Sequence, residues 1–494
     1  MSGHLFVAQG DLTRLACDAV VVPCDGRGNV TGAWSGLLPD DLPLGDLPGW
    51  RRIGAPGRSG VVDVGELDGR RVLALDTHSR RPSPTTLADR TWDAIDQAGT
   101  GLPARDGRAV PLVALPLVGT GAGGLRHRRG EVVTALLERC RARSLSVDAA
   151  LVLRDRRDVA AVQQRRTGDD WLGLPPALLE EADRLGRLAG AGRLSLFLGA
   201  GVSVPVGLPD WTTLLRQVAA EAPAVDVTGL TSPLDVASRL VRSRGKTSFL
   251  TSVEARVSAR RHGIGHALLA GLGVRQSVTT NFDSCFETAV AGVGGDGLDV
   301  LTRDVADGSR PWLLKLHGDV AHPPSMMLTR EQYDAHRADH QALNGVVQSL
   351  LLTGHLLFVG FSLTDDNFLD LARQVDVVRD SRGVPSGTAL ALTTRDAGRA
   401  GYQKLTMVPM SRGTDLAAAG RVLEMFLDRL AWTAAHAHEL SSAYLLDDAY
   451  ASSLPPGDLA LKQALLDLAA REDLSASAAW PRVAGLLERF GLDL

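Results

Sequence analysis

The sequence predicts an α/β protein with two sheet-containing domains and a helical C-terminal tail. Short apolar runs alternate with helical periodicity through most of the chain, the pattern of layered α/β folds. The chain has 494 residues, more than one hydrophobic core normally organises. Beyond about residue 433 the short apolar runs stop, and leucine and alanine recur at helical spacing alone.

Composition excludes several function classes. Hydrophobic residues make up 45% and charged residues 22%, as in ordinary globular proteins. A formal net charge of -4 gives no bulk attraction to nucleic acid or an anionic membrane. No apolar run reaches the roughly 18 residues that span a bilayer. The N-terminus has no basic region leading into an apolar core, so no secretory signal is read and a cytoplasmic location is expected. The four cysteines, Cys17, Cys24, Cys140 and Cys285, form no Cys-x-x-Cys pair. Neither a zinc knuckle nor a disulfide framework is therefore expected. Lysine occurs only at 246, 315, 404 and 462, so arginine carries the positive charge throughout. Clusters such as Arg154, Arg156, Arg157 and Arg165, Arg166 therefore read as solvated surface, and nucleic acid is disfavoured as a partner.

The first domain is read over residues 1–160. His4 to Ala8 and Ala19 to Val22 are expected strands, with Gly10-Asp11 at a turn between them. Arg71 to Leu75, Pro111 to Val118 and Ala149 to Leu153 are further strands, with helices over Thr86 to Ala98 and Arg129 to Ser144. The turn Val118 to Leu125, VGTGAGGL, places four glycines between an apolar strand and a helix. Such a turn is either a phosphate cradle or a flexible loop, and glycine count alone does not choose.

Residues 161–178 read as a linker and the start of a helix over Pro176 to Leu188, and residues 179–432 as the second domain. An apolar strand, Leu194 to Leu198, breaks into Gly199-Ala200-Gly201, with Ser203 close behind. The turn suggests a diphosphate site ahead of a helix, but it lacks the third glycine of the dinucleotide fingerprint. Thr212 to Ala220 and a broad region from Pro233 to Ala270 are helical in pattern. Val274 to Val278 then leads into Thr279-Thr280-Asn281-Phe282-Asp283, either a ligand-facing element or an Asx turn opening a helix over Cys285 to Ala291. Trp312 to Leu316 delivers His317-Gly318-Asp319, a histidine suited to base chemistry near neutral pH. Leu356 onward ends in Gly360-Phe361-Ser362, followed by acidic residues and Asn367. In a parallel sheet these four strand ends converge on one crevice. Thr388 to Leu392 and Thr406 to Pro409 would complete the sheet. Three tail helices are expected over Ala434 to Tyr450, Gly457 to Arg471 and Ala479 to Phe490, serving packing or a homo-oligomer interface.

Two resemblances sharpen this reading. GDLTRLACDAVVV (Gly10 to Val22), with ALPLVGTGAGGL a hundred residues on, resembles a macro domain. The resemblance implies a three-layer fold, Asp11 for an adenine amino group, and Gly119, Thr120, Gly121, Ala122, Gly123 and Gly124 for the diphosphate and distal ribose of an ADP-ribose-type ligand. Where that family has Asn-Ala-Ala-Asn, this chain has Val22-Pro23-Cys24-Asp25, which argues for binding or sensing over de-ADP-ribosylation. The second domain's four motifs, in their order, resemble the Rossmann-like sirtuin core over residues 190–375. The forms TNFD and GFSLTDDNF, without zinc cysteines, are similar to those of the sirtuin-like NADases of bacterial anti-phage systems.

That resemblance implies NAD as substrate and no metal. It puts Gly199, Ala200, Gly201, Ser203, Gly360 and Ser362 against the dinucleotide, with Asn281, Asp283 and His317 as catalytic residues. The expected function is an NAD glycohydrolase yielding nicotinamide and ADP-ribose or a cyclic form, switched by a phage-derived or nucleotide activator. The alternatives are a non-catalytic nucleotide-binding regulator and, disfavoured by the missing zinc cysteines, a protein deacylase.

Overall fold

A computed structural model describes residues 2–25, 29–37, 60–78, 82–223, 225, 232–295, 297–302, 306, 308–339, 341–379, 387–399, 402, 404–438 and 441–493. The chain forms two compact units. One comprises Met1–Arg105, Val110–Pro175 and Asp428–Leu494; the other comprises Asp106–Ala109 and Pro176–Leu427.

The first unit is built on a six-stranded sheet. Its strands are β1 (Leu5–Gln9), β2 (Ala19–Cys24), β3 (Val61–Leu67), β4 (Arg70–Asp76), β5 (Leu112–Leu115) and β6 (Asp148–Leu153), in the order β1-β6-β5-β2-β4-β3. All neighbours are parallel except β3 and β4. β5 and β6 are buried along their whole length, as expected of parallel strands covered on both faces. Helices Pro84–Gly99 and Arg129–Arg141 pack Trp92, Ile95, Val133 and Leu136 onto Val21, Leu73, Val113 and Leu151. Ser83 starts the first of these helices by accepting from Thr86 N–H at 3.1 Å, with Pro84 at its first position.

The edge strand β3 was not expected. It is half exposed and interrupted by Gly65, where the register slips, so its apolar pattern is broken. Its turn carries Asp68 and Gly69 at φ 49° and 73°, the Asp-Gly pair that suits a tight hairpin. The first expected tail helix is also corrected. One helix spans Leu416–Ala437, and after turns the chain forms a 3-10 helix at Asp448–Ser453. Asp447 caps the latter by accepting from Ala449 N–H at 2.9 Å, which separates the two pieces. Residues 439 and 440 of that expected helix lie outside the described residues. Pro456–Ala469 and Trp480–Arg489 are helices as expected.

The second unit holds a seven-stranded, wholly parallel sheet. Its strands are β7 (Leu194–Leu198), β8 (Gln276–Thr279), β9 (Asp299–Val300), β10 (Trp312–Lys315), β11 (His355–Val359), β12 (Gly387–Thr393) and β13 (Thr406–Ser411). The order is β13-β12-β11-β7-β8-β10-β9. The chain leaves β7 toward β8 on one side and returns as β11 on the other, so β7 stands at the topological switch point where such sheets bind ligands. The two-residue β9 was too short to be read from periodicity. The broad helical region resolves into Pro233–Arg244, Lys246–Val257 and Ile264–Ala270. Among the described residues, no helix is long and apolar enough to cross a membrane.

Candidate active site

Strand register brings the four motifs to one level. Leu198 pairs with both Val359 and Thr279, and Thr279 pairs with Lys315. The next residues, Gly199, Gly360, Thr280 and Leu316, therefore leave the sheet side by side. Gly199 and Gly360 interlock there. Gly199 N–H donates to Val359 O and Gly201 N–H to Gly360 O, both at 2.9 Å. A Cβ on Gly199 would lie 2.5 Å from Gly360 O, and one on Gly360 would lie 2.4 Å from Val202 N. Gly360 also has φ +66°, so only glycine fits without strain. β7 does not run straight into an α-helix. Two 3-10 turns, Ala200–Val202 and Val204–Val206, intervene before the helix Trp211–Ala220.

Asn281, Ser203 and Asp283 form one buried hydrogen-bond network behind this turn. Asn281 Nδ2 donates to Gly199 O at 3.1 Å and to Ser203 Oγ at 3.3 Å. Ser203 Oγ donates to Asp283 Oδ2 at 2.9 Å, while Asp283 Oδ1 accepts from Cys285 N–H at 2.9 Å. The Asx turn is thus formed by one oxygen of the carboxylate, while Ser203 holds the other. His266, which sequence reading missed, completes the network. Its Nδ1 accepts from Gly263 N–H at 3.2 Å, leaving Nε2–H to donate to Ser203 Oγ at 3.3 Å. Burial lowers the His266 pKa to about 4 against the opposing pull of Asp283, so the ring is neutral. One acceptor is left over: Asn281 Oδ1 is buried without a partner, on a residue only 9% exposed. An orphan acceptor at converging strand ends is what a bound hydroxyl or water would satisfy.

His266, Asp283 and Cys285 bring three ligand-type atoms within 4.8 Å of one another. The His266 Nδ1 lone pair and both Asp283 oxygens are already engaged by Gly263, Cys285 and Ser203. Hydrogen bonding therefore accounts for this cluster.

His317 follows β10, and Gly318 behind it has φ +96°, with Ser325 O only 2.3 Å from where a Cβ would sit. His317 Nε2 lies 3.1 Å from Tyr333 Oη and 3.6 Å from Asp365 Oδ2, and Tyr333 Oη donates to Asp365 Oδ2. Burial lowers the His317 pKa, and the Asp365 charge partly offsets it. Burial and the Asp365 charge push the Tyr333 hydroxyl well up, so it stays protonated. Asp365 is aimed by the loop from Gly360, where Leu363 adopts a rare non-glycine φ of 56°. Such strain costs on the order of 1–3 kcal/mol and persists where surrounding packing imposes it. Here Leu363 is buried among Phe197, Phe358 and Phe368. Ser362 stays exposed, its Oγ 2.7 Å from Thr364 Oγ1.

A buried cation ties the Asn281 and His317 loops together. Lys315 is fully buried, and its Nζ donates to Phe282 O (3.1 Å), Asp283 O (2.7 Å), Glu287 Oε1 (2.7 Å) and Asp319 Oδ1 (3.1 Å). Burial raises the Glu287 pKa, with Lys315 opposing. Lys315 was read only as part of an apolar strand. In a chain with four lysines, a lysine inside such a strand was the available signal.

The first unit carries its own cleft, of about 500 Å³. Asp11 and Gly119, Thr120, Gly121, Ala122 and Gly123 line it together; Gly124 is not among the lining residues. Gly119 has φ +76° and a Cβ there would meet Leu87, while Gly123 packs on Gly119. A 3-10 turn, Arg126–Arg128, separates this loop from the following helix. Asp11 Oδ1 accepts from Thr13 N–H at 3.0 Å, and Oδ2 accepts from Arg154 at 2.7 Å. Burial raises the Asp11 pKa, but the hydrogen bonds from Thr13 and Arg154 outweigh it and hold the carboxyl below its ordinary value. Arg154, Arg129 and Asp158 also line the cleft and were not expected there. Burial pushes the Asp158 pKa up to about 6 despite Arg129 at 3.1 Å.

Residues 275–405 match the model of the SIR2-like domain. The chain is similar to the NAD(+) hydrolase ThsA of Acinetobacter baumannii (strain 532279), 27% identical over 37% of this chain and 39% of that protein. It is also similar to the NAD(+) hydrolase ThsA of Bacillus cereus (strain MSX-D12), 28% identical over 35% of this chain and 38% of that protein. The matched region thus spans under two-fifths of these relatives' lengths. Among solved structures, an Oceanobacillus iheyensis macrodomain variant aligns with 33% of this chain and 89% of its own, at 15% identity and a TM-score of 0.25. Within the second unit, then, the stretch that is similar to the SIR2-like domain, residues 275–405, holds the strand ends of Asn281, His317 and Gly360.

Proposed function

We propose that the second unit hydrolyses the nicotinamide–ribose bond of NAD, releasing nicotinamide and ADP-ribose or a cyclised form. The observation that carries this is the orphan Asn281 Oδ1 at the convergence of the Gly199, Asn281, His317 and Gly360 strand ends. The relatives named NAD(+) hydrolase support the same chemistry. The interlocked Gly199–Gly201 and Gly360 turns leave no room for side chains and allow backbone to approach a diphosphate. Bond cleavage passes through an oxocarbenium-like transition state. Asn281 Oδ1 holds the attacking water, His317 takes up a proton, and Asp283 fixes the Asn281 network and the carboxamide side. The reaction needs no metal. Ser362 touches the dinucleotide from the exposed edge of the Gly360 loop.

The first unit's cleft takes an ADP-ribose-type ligand, with Asp11 at the base end and Gly119 to Gly123 along the diphosphate, and serves as the sensor of a nucleotide activator. Together the two activities fit an anti-phage effector that depletes NAD. Purified full chain incubated with NAD, with and without ADP-ribose-type nucleotides, tests the reading. Stoichiometric appearance of nicotinamide is expected. Intact NAD under every activator condition, with NAD bound, would favour a regulator without catalysis.

A further inference from the structure

We propose that Tyr333 and Asp365 hold His317 as its Nε2–H tautomer, making Nδ1 the nitrogen that accepts the proton. This rests on His317 as the base of the reaction above, but it concerns a different question: which atom acts and what orients it. The argument is a count of protons. Tyr333 has one hydroxyl proton and donates it to Asp365 Oδ2. Its oxygen can then only accept from the imidazole nitrogen 3.1 Å away, so His317 Nε2 carries the hydrogen. A neutral imidazole has one N–H, which leaves the lone pair on Nδ1.

Each member is fixed from a different element. Asp365 Oδ1 accepts from Phe368 N–H at 2.9 Å and Asp365 O accepts from Leu369 N–H at 2.9 Å, so the carboxylate is pinned at the start of the helix Asp366–Arg379. Tyr333 is buried on the helix Arg330–Asp339 and meets the His317 ring edge-on at 5.3 Å between centroids. His317 O accepts from Met327 N–H at 2.9 Å, holding its backbone. Asp365 is the charge acting on the imidazole, and Asp365, Asp366 and Arg330 all act on the tyrosine. The arrangement is that of an orienting acid and a general base, with a tyrosine hydroxyl between them. Water loses a proton to Nδ1 as its oxygen bonds the ribose carbon, and the broken bond's electron pair leaves with nicotinamide. Tyr333 and Asp365 are positioning residues and touch no reacting atom.

The test is ¹⁵N-histidine NMR of the full chain without nucleotide, with the His317 signals identified by their loss in His317→Gln. The expected spectrum shows Nε2 protonated and Nδ1 bare. Tyr333→Phe and Asp365→Asn should each shift His317 toward a mixture of tautomers. Asp365→Asn should also lower its titration midpoint, because the charge favouring imidazolium is gone. An Nδ1–H tautomer in the parent chain would overturn the proposal, as would an unchanged tautomer and midpoint in both variants. These readouts need no turnover, so a chain that fails to cleave NAD would refute the hydrolase reading and leave this one standing or falling on its own. In an active chain, Asp365→Asn should lower kcat by about ten- to a hundredfold, the range for losing an orienting partner, and move the acidic limb to lower pH. A lower kcat with an unmoved limb would indicate a merely structural role.

Discussion

At the residue scale, Asn281 and Lys315 differ in what their polar atoms have left to offer. Asn281 spends its amide donors on Gly199 O and Ser203 Oγ and keeps its acceptor unspent. Asn281→Ala should abolish nicotinamide release while shifting the melting temperature by only a few degrees; wild-type turnover would remove Asn281 from the mechanism. Lys315 has no such reserve: its ammonium is spent on two backbone carbonyls and two carboxylates. Lys315→Met would leave Glu287 and Asp319 facing a buried site without their cation. Its cost should be about 3–5 kcal/mol, the range for breaking a buried ion pair, read as a fall in the urea midpoint of the second unit. An unchanged midpoint would mean that the network relaxes without its cation. Asn281, Asp283 and His317 were legible because each follows an apolar strand. His266, Tyr333 and Asp365 were not, because their roles arise from tertiary approach: Tyr333 meets His317 from a separate helix, and His266 meets Ser203 across 63 positions.

At the element scale, the interlocked turns at the ends of β7 and β11 matter most. Gly360→Ala meets Val202 N and demands a left-handed backbone, so it should destabilise the second unit by about 2–4 kcal/mol. Gly121→Ala in the first unit is the contrast: nothing lies within 4 Å of its Cβ, and its unfolding midpoint should stay within about 0.5 kcal/mol of the parent. Equal effects in the two variants, read by urea unfolding, would contradict the close packing of the β7 and β11 turns. Strands ending in glycine or polar residues were readable because parallel strands buried on both faces are near-continuous apolar runs. Edge strand β3 was not, because only half of it is buried, although Asp68-Gly69 signalled its hairpin. The helix expected over Ala434 to Tyr450 failed for a related reason. Leucine and alanine continue past the true end at Ala437, and Asp447 starts a new 3-10 turn that periodicity does not register.

At the scale of the whole molecule, the first unit is gathered around a fully buried carboxylate. Asp428 accepts from Arg166, from Trp171 Nε1 at 2.9 Å and from Val7 N–H at 3.2 Å, and pairs with His4 Nε2 at 2.8 Å. Burial opposes the charge, but Arg166 and His4 outweigh it and lower the pKa to about 2. A carboxyl whose folded pKa lies below its ordinary value of 3.8 stabilises the fold above that value. The contribution is lost as pH falls toward about 2. The acid-unfolding midpoint of Asp428→Asn should therefore be less steeply pH-dependent between pH 4 and 2 than the parent's, as followed by circular dichroism; identical acid limbs would contradict the assignment.

The central claim is that one crevice in the second unit cleaves NAD, and it is tested most directly by nicotinamide release from three full-length chains side by side. Parent, Asn281→Ala and His317→Ala are supplied with NAD and an ADP-ribose-type activator and checked for matched melting temperatures. The account predicts nicotinamide and ADP-ribose from the parent and none above background from either variant. Equal release from all three folded chains would contradict it.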